Sequence, residues 1–138
     1  MPDDLPILSI CLTCRDGREE DHGQIRGGTR LAEAIAMRSQ DPALNLRGVQ
    51  CMSQCKRPCV AALSGRGRFS YLFGDLDPTE PVHVEALLQI PSLYMAAPEG
   101  FLTRDARPAP LQASILGRLP PVDTASTLVM PLRRATAA

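Results

Sequence analysis

Apolar and polar positions alternate along the first third of the chain in a way that predicts a strand, a helix and a second strand. The aliphatic run over 7–10 fits a buried strand that ends at the first cysteine. A polar loop over 15–28 precedes a segment with apolar residues at helical spacing, and this helix is expected to start at Thr29 and to end at Asp41-Pro42. The second strand follows over 44–49. A strand–helix–strand unit favours parallel pairing with a right-handed crossover.

The second half of the chain predicts a hairpin followed by helices. Apolar runs over 60–63 and 68–73, joined by a tight Gly-Arg-Gly turn, are typical of a β-hairpin. Asp77 is a candidate helix cap because proline follows it and glutamate stands three positions later. Pro91 is expected to kink or end this helix. Leucine and isoleucine positions over 111–119 indicate one further short helix.

The predicted order, β-α-β-β-β-α, places the chain in the α/β class. A parallel pair plus a hairpin is the arrangement of a thioredoxin-like domain, here with a mixed four-stranded sheet covered by helices. We expect one domain over 1–121, because 138 residues suffice for a core that needs no disulfides. Residues 122–138 are mostly small and polar, and we expect a loosely ordered tail there.

Charge and hydropathy narrow the possible partners and the compartment. The 15 basic and 15 acidic side chains cancel, which argues against nucleic acid or an anionic membrane as a partner. No stretch approaches the roughly 20 apolar residues that span a bilayer. The first residues, 1–6, are acidic and proline-broken and lack the pattern of a secretory signal. We therefore expect a cytoplasmic protein, in which thiols stay reduced and disulfides are rare.

All five cysteines fall into two groups, and each group follows a strand of the predicted parallel pair. Cys11 and Cys14 form a CxxC after the first strand, and Cys51, Cys55 and Cys59 follow the second. Because sites in α/β sheets collect at the carboxyl ends of the strands, we expect the two groups to meet there. Clustered thiolates bind soft metals: zinc, copper(I) or an iron–sulfur cluster.

An iron–sulfur cluster and zinc compete for these ligands. A [2Fe-2S] cluster needs four thiolates, and the pairs Cys11/Cys14 and Cys51/Cys55 supply them, with Cys59 as a nearby thiol able to substitute. Zn²⁺ is the alternative, since four thiolates form a closed structural site and CxxC is a frequent zinc half-site. The CxxxC spacing of the second pair is less usual for zinc, so we interpret the pattern as an iron–sulfur site. A zinc or other metal-binding protein for metal delivery or sensing is the second interpretation.

The second cysteine group resembles that of the thioredoxin-like [2Fe-2S] ferredoxins. In those proteins a CxxxC pair follows the second strand, and a proline stands shortly before the third, as Cys51, Cys55 and Pro58 do here. Cys11 and Cys14 are closer together than the usual first pair, and Cys59 has no counterpart. The resemblance implies a thioredoxin-like fold, a [2Fe-2S] cofactor, and one-electron transfer with a redox partner protein. It also implies a homodimer, since these ferredoxins often dimerise.

The chain also resembles, over nearly its whole length, a bacterial family of uncharacterised small proteins predicted to bind metal. The marks of that family are a CxxC near the start, CxSxCKRPC, FGDLDP and a late RxPP. They stand here at 11–14, 51–59, 73–78 and 118–121. This resemblance implies a metal-binding protein of the same type.

An enzymatic alternative is a thiol–disulfide oxidoreductase. A CxxC after the first strand of a thioredoxin-like sheet is typical of a redox-active dithiol. Such a dithiol normally opens a helix directly, where the helix dipole lowers the thiol pKa. A glycine-containing loop separates Cys14 from the predicted helix, so the main prediction is an electron carrier and not an enzyme.

The basic pair Lys56-Arg57 suits a cluster, because cations beside the sulfurs stabilise the added negative charge of the reduced form. The alternative interpretation of this pair is a solvated loop, since exposed lysine and arginine are common.

Overall fold

The structure is a computed structural model in which residues 5–134 are described. The expectation of no secretory signal concerns residues 1–6, of which residues 1–4 lie outside the described part. The helices and strands are, in chain order, β1 (Ile7–Cys11), α1 (Gly27–Arg38), β2 (Asn45–Val49), β3 (Ala61–Ser64), β4 (Ser70–Phe73), α2 (Pro81–Ala96), α3 (Pro110–Ala113) and β5 (Ile115–Leu119). Short 3₁₀ turns lie at Glu19–His22, Pro98–Gly100 and Arg104–Ala106.

The strands form one mixed sheet in the order β2-β1-β3-β4-β5. β1 and β2 are parallel and end together, with Cys11 opposite Val49. β3 pairs antiparallel with β1 and β4, and β5 pairs antiparallel with β4. The predicted α/β class, the parallel pair and the hairpin are confirmed.

One face of the sheet carries the core. Leu8, Leu63 and Tyr71 lie in register across three strands, and all are at most 1% exposed. α1 and α2 contact each other, and their buried residues belong to the same cluster: Leu31, Ile35, Val84, Leu87, Ile90 and Tyr94. The adjacent row, which points to the other face, holds exposed Arg47 and half-buried Leu72.

The sheet has five strands where the sequence predicted four. The predicted helix over 111–119 is limited to Pro110–Ala113, and Ile115–Leu119 forms β5 instead. The segment pairs with the free edge of β4, and its Gly117 is a poor helix former. Tertiary pairing therefore decides the structure of this apolar stretch.

Both long helices start or end away from the predicted residues. α1 begins at Gly27 instead of Thr29, whose hydroxyl donates to the carbonyl oxygen of Leu12 at 2.9 Å. α2 begins at Pro81 and runs through Pro91 to Ala96, so Pro91 does not end it.

In the part of the chain that the structure describes, no helix has the length and apolarity needed to cross a membrane. From Val122 to Arg134 the described chain forms no helix or strand, and most of its side chains are exposed, although Val129 packs against the core. The domain boundary at residue 121 and the loosely ordered tail stay predictions, and residues 135–138 of that tail lie outside the described residues.

Candidate metal centre

Both cysteine groups lie at the edge of the sheet where β1 and β2 end. Cys11 is the last residue of β1, and Cys14 follows in the loop to α1. Cys51 and Cys55 lie in the loop between β2 and β3, and Cys59 lies shortly before β3. Backbone hydrogen bonds from Leu12 N to Val49 O, at 2.8 Å, and from Cys11 N to Val60 O, at 3.0 Å, join the two segments. The predicted convergence of the two groups at one edge therefore has a direct cause in the parallel pairing.

The Cys11–Cys14 turn is fastened on two sides. Toward the β2–β3 loop, the Thr13 hydroxyl donates to the carbonyl oxygen of Gln50. Toward α1, the amide of Gly28 donates to Cys14 O at 3.0 Å, and Arg26 donates from Nη1 to Thr13 O at 3.2 Å. The turn is thus held by backbone and side-chain hydrogen bonds on both of its neighbours.

All five cysteines are free thiols, and they differ sharply in exposure. Cys11, Cys14 and Cys59 are buried, at 2%, 6% and 0% exposed. Cys51 and Cys55 are exposed on the β2–β3 loop. The site therefore has an inner set of thiols and an outer pair that solvent reaches.

The inner thiols interact, and Cys14 is central among them. Burial disfavours the thiolate of Cys11, but hydrogen bonds from the thiol of Cys14 and from Thr13 stabilise it and hold the pKa of Cys11 below its ordinary value. Burial raises the pKa of Cys14 to about 12, and its hydrogen bond to Cys11 and the charges of Cys11 and Cys55 add to the rise. Burial and the charge of Cys14 likewise raise the pKa of Cys59 to about 12.

These interactions bring Cys11, Cys55 and Cys59 into the electrostatic neighbourhood of Cys14. Within residues 5–134, no three Cys, His, Asp or Glu side chains are grouped so that they hold a metal ion. The fold thus brings the thiols to one edge without closing a coordination sphere around them. Five free thiols still match, in number and in chemistry, the four thiolates that a cluster or zinc needs.

A cleft of about 260 Å³ opens beside the inner thiols, and its walls are basic. Thr13, Cys14, Arg15, Arg26 and Cys55 line it. The spacing of the cysteines did not single out Arg15 or Arg26. The position of Arg15 directly after Cys14 was a sequence signal that it lies near the site. Arg26 had no such signal, because it reaches the cleft only through the start of α1 beside the first cysteine turn.

Arg57 has a different role from the one expected of the Lys56-Arg57 pair. Its Nη2 lies 2.5 Å from Oδ2 of Asp75, and its Nε donates to the same oxygen at 2.7 Å. Asp75 N donates to Arg57 O at 3.0 Å, and a Cβ at Gly74 would lie only 2.8 Å from that oxygen. Arg57 is therefore a structural partner of the segment after β4, and Lys56 remains as the exposed cation of the pair.

The FGDLDP segment holds both cysteine loops. Cys59 and Leu76 exchange backbone hydrogen bonds of 3.1 and 3.2 Å, which fixes the end of the second loop. Asp77 binds Nη1 of Arg18 at 3.1 Å and so ties down the first loop. The amide of Asp77 donates to Nδ1 of His83, which joins the segment to α2. From the sequence, this motif was only a mark of family resemblance. In the structure it connects the two cysteine loops to each other and to α2.

A partly buried carboxylate, Glu19, shapes the loop between Cys14 and α1. Glu19 accepts hydrogen bonds from the amides of Asp16, Gly17 and Gly27, at 3.0, 3.2 and 3.0 Å, and lies 3.6 Å from Nη2 of Arg30. Desolvation opposes ionisation of Glu19, but the amide hydrogen bonds dominate and lower its pKa to about 2. The charged form of Glu19 therefore stabilises the folded loop.

The order of elements, the mixed sheet and the cysteine-bearing edge define a thioredoxin-like α/β domain of the ferredoxin type. A solved structure of a thioredoxin-like [2Fe-2S] ferredoxin from Aquifex aeolicus matches with a TM-score of 0.51 and 16% identity, covering 87% of this chain and 98% of that one. A structure of the wild-type thioredoxin-like [2Fe-2S] ferredoxin from the same organism matches with a TM-score of 0.48 and 15% identity, covering 83% and 98%.

The chain belongs to the family described as "Protein of unknown function (DUF1636)", whose sequence profile matches residues 8–121. No curated protein matches the chain. The family profile confirms the resemblance to an uncharacterised family, and the solved structure with the TM-score of 0.51 confirms the resemblance to the ferredoxin fold.

Replacing Gly28 by alanine is expected to destabilise the protein by about 1–3 kcal/mol, because the new Cβ would overlap the carbonyl oxygen of Cys11 and lie 3.2 Å from the carbonyl carbon of Leu12. Urea unfolding measures the change. Gly117→Ala is the matched control, since a Cβ there meets no atom within 4 Å. Equal unfolding midpoints for Gly28→Ala and wild type would show that α1 does not pack closely on the first cysteine turn.

The depressed pKa of Glu19 predicts a specific loss of stability in acid. A carboxyl with a folded pKa of about 2 contributes its full stabilisation above its unfolded pKa of roughly 4.3, and this is lost as pH falls from there toward 2. The free energy of unfolding of Glu19→Gln should therefore depend less on pH in this window than that of wild type. Glu33→Gln, at an exposed position, is the control, and its free energy of unfolding should depend on pH as that of wild type does. Parallel profiles for wild type and Glu19→Gln would contradict the role given to this carboxylate.

Proposed function

We propose that this protein is an iron–sulfur protein of the [2Fe-2S] ferredoxin-like type that transfers one electron to or from a protein partner. The observation that carries the proposal is the location of five free thiols, at the end of β1 and in the loops after β1 and β2, at one edge of a thioredoxin-like sheet. The solved structure with the same fold is described as a [2Fe-2S] ferredoxin, which supports the same chemistry here.

Cys11, Cys14, Cys51 and Cys55 would hold the cluster. When bound, the cluster supplies a metal centre that accepts and returns one electron. Cys11 and Cys14 provide a rigid half of the site, because their turn is fastened to β2 and α1. Cys51 and Cys55 provide an outer half on an exposed loop, and binding requires this loop to bring its thiols to the inner pair. Cys59 is the alternative ligand, buried beside Cys14.

The geometry favours an electron carrier over an enzyme. A dithiol that attacks disulfide substrates needs an accessible nucleophile, whereas Cys11 is 2% exposed and Cys14 is 6% exposed. An electron can leave a buried centre without contact between substrate and sulfur, so burial of these thiols does not obstruct a carrier. The proposal places the protein in the cytoplasm, where its thiols stay reduced, with a redox protein as partner and a homodimer as its assembly.

Protein purified without air is expected to be reddish-brown and to contain iron and acid-labile sulfide in equal amounts, about two of each per chain. Dithionite should bleach its visible absorption. Elemental analysis, sulfide determination and spectroscopy measure these properties together. A colourless protein with about one zinc per chain would contradict the proposal and indicate a zinc-binding protein instead. A metal-free protein that reduces disulfides catalytically would contradict the proposal and indicate the oxidoreductase.

Single substitutions of the cysteines are expected to separate ligands from bystanders. Serine at position 11, 14, 51 or 55 should lower iron content and visible absorption several-fold, whereas Cys59→Ser should keep both. Because Cys59 is 0% exposed, Cys59→Ala serves as a second variant in which no hydroxyl is buried. Circular dichroism controls for folding. Loss of iron from both Cys59 variants, with Cys51→Ser unaffected, would reassign the fourth ligand to Cys59.

A further inference from the structure

The cations beside the cysteine cleft form no ion pair with any acidic residue that the structure describes. Arg15, Arg26 and Lys56, here called the basic rim, have no ion pair among the described residues. Arg15 and Lys56 are exposed, and each directly follows a cysteine of the site. Since the whole chain has a formal net charge of zero, the basic rim reflects local placement and not a general basic excess.

The acidic residues near the site contact arginines that do not belong to the basic rim, and two of them share one arginine. Asp16 and Glu19 pair with Arg30, and Asp75 pairs with Arg57. The exposed acids Glu20 and Asp21 do not line the cleft. Arg15 and Arg26 therefore line the cleft together with the exposed residue Cys55, and no described carboxylate forms an ion pair with either arginine.

We propose that the basic rim is the docking surface for an acidic face of the redox partner protein. The inference rests on the proposed function and adds to it the kind of partner and the place where it binds. Electron-transfer partners form small, transient interfaces, in which complementary charge steers the encounter more than buried area does. Unpaired cations next to the thiols meet this requirement, because they attract carboxylates to the side of the site where Cys55 is exposed.

Electron transfer to two forms of one acceptor tests the proposal. Native cytochrome c is basic, and succinylated cytochrome c carries the same haem on an acidic surface. The reduced, cluster-loaded protein should reduce the succinylated form at least about tenfold faster than the native form at low ionic strength, and salt should slow this reaction. The double variant Arg15→Glu with Lys56→Glu should reverse the preference.

The matched control is Arg133→Glu with Arg134→Glu, which makes the same change in net charge at exposed positions outside the cleft. It should keep the preference of wild type. Comparing variants with the same acceptor cancels any effect of succinylation on the haem potential. Equal rates for both cytochromes, or equal effects of the two double variants, would overturn the docking surface.

A second measurement tests the charge of the rim without any cluster. In metal-free, reduced protein carrying Cys51→Ser, the Cys55 thiolate attacks an aromatic disulfide, forms a mixed disulfide and releases an aromatic thiolate. On Arg15→Glu with Lys56→Glu, the reaction with dianionic dithiobis(nitrobenzoate) should slow at least about tenfold more than the reaction with neutral dithiodipyridine, because only the dianion is repelled by the new carboxylates.

The outcomes distinguish a failure of the proposed function from a failure of the docking surface. Slowing of the dianionic reagent in a protein that binds no iron would overturn the proposed function and keep the rim as an acid-binding surface. Electron transfer without preference between the cytochromes would keep the function and overturn the rim. Equal slowing of both disulfide reagents would also count against the rim, because it would indicate a change in thiol access or in the thiolate fraction and not in attraction of the anion.

Discussion

The parallel pairing of β1 with β2 is the constraint on which the rest of the site depends. Two chain segments that are distant in sequence end at the same edge only because these strands run side by side in one direction, with Cys11 opposite Val49. An antiparallel arrangement would send the two cysteine groups to opposite ends of the sheet. The crossover helix α1 completes the arrangement, because its first turn packs against the backbone of the first cysteine turn.

The loops that carry the thiols are irregular, so their shape needs other support. The segment after β4 supplies much of it: its backbone pairs with Cys59, Asp75 holds Arg57, and Asp77 holds Arg18. Glu19 performs a similar role within the first loop by collecting amide donors that would otherwise lack partners. Charged residues near the thiols thus fall into those that build the loops and those left unpaired at the cleft.

Much of the fold follows from local patterns. The strand–helix–strand unit and the hairpin are readable because short aliphatic runs, helical spacing and a glycine turn each restrict the backbone locally. The stretch over 111–119 is different: its leucines fit a helix equally well, and only the free edge of β4 makes Ile115–Leu119 a strand. Similarly, Pro91 was expected to kink or end α2, but the helix continues past it within the packed core.

For the site, the sequence by itself determined which atoms are available: five thiols in two groups, each placed after a strand of the parallel pair. That information is local, since spacing along the chain sets which cysteines are neighbours. The tertiary structure alone decided which thiols are buried and which cations stay unpaired. Arg57 and Lys56 are adjacent in the chain, yet one is held by Asp75 and the other is exposed. Burial and pairing depend on residues brought in from distant parts of the chain, and no local pattern encodes them.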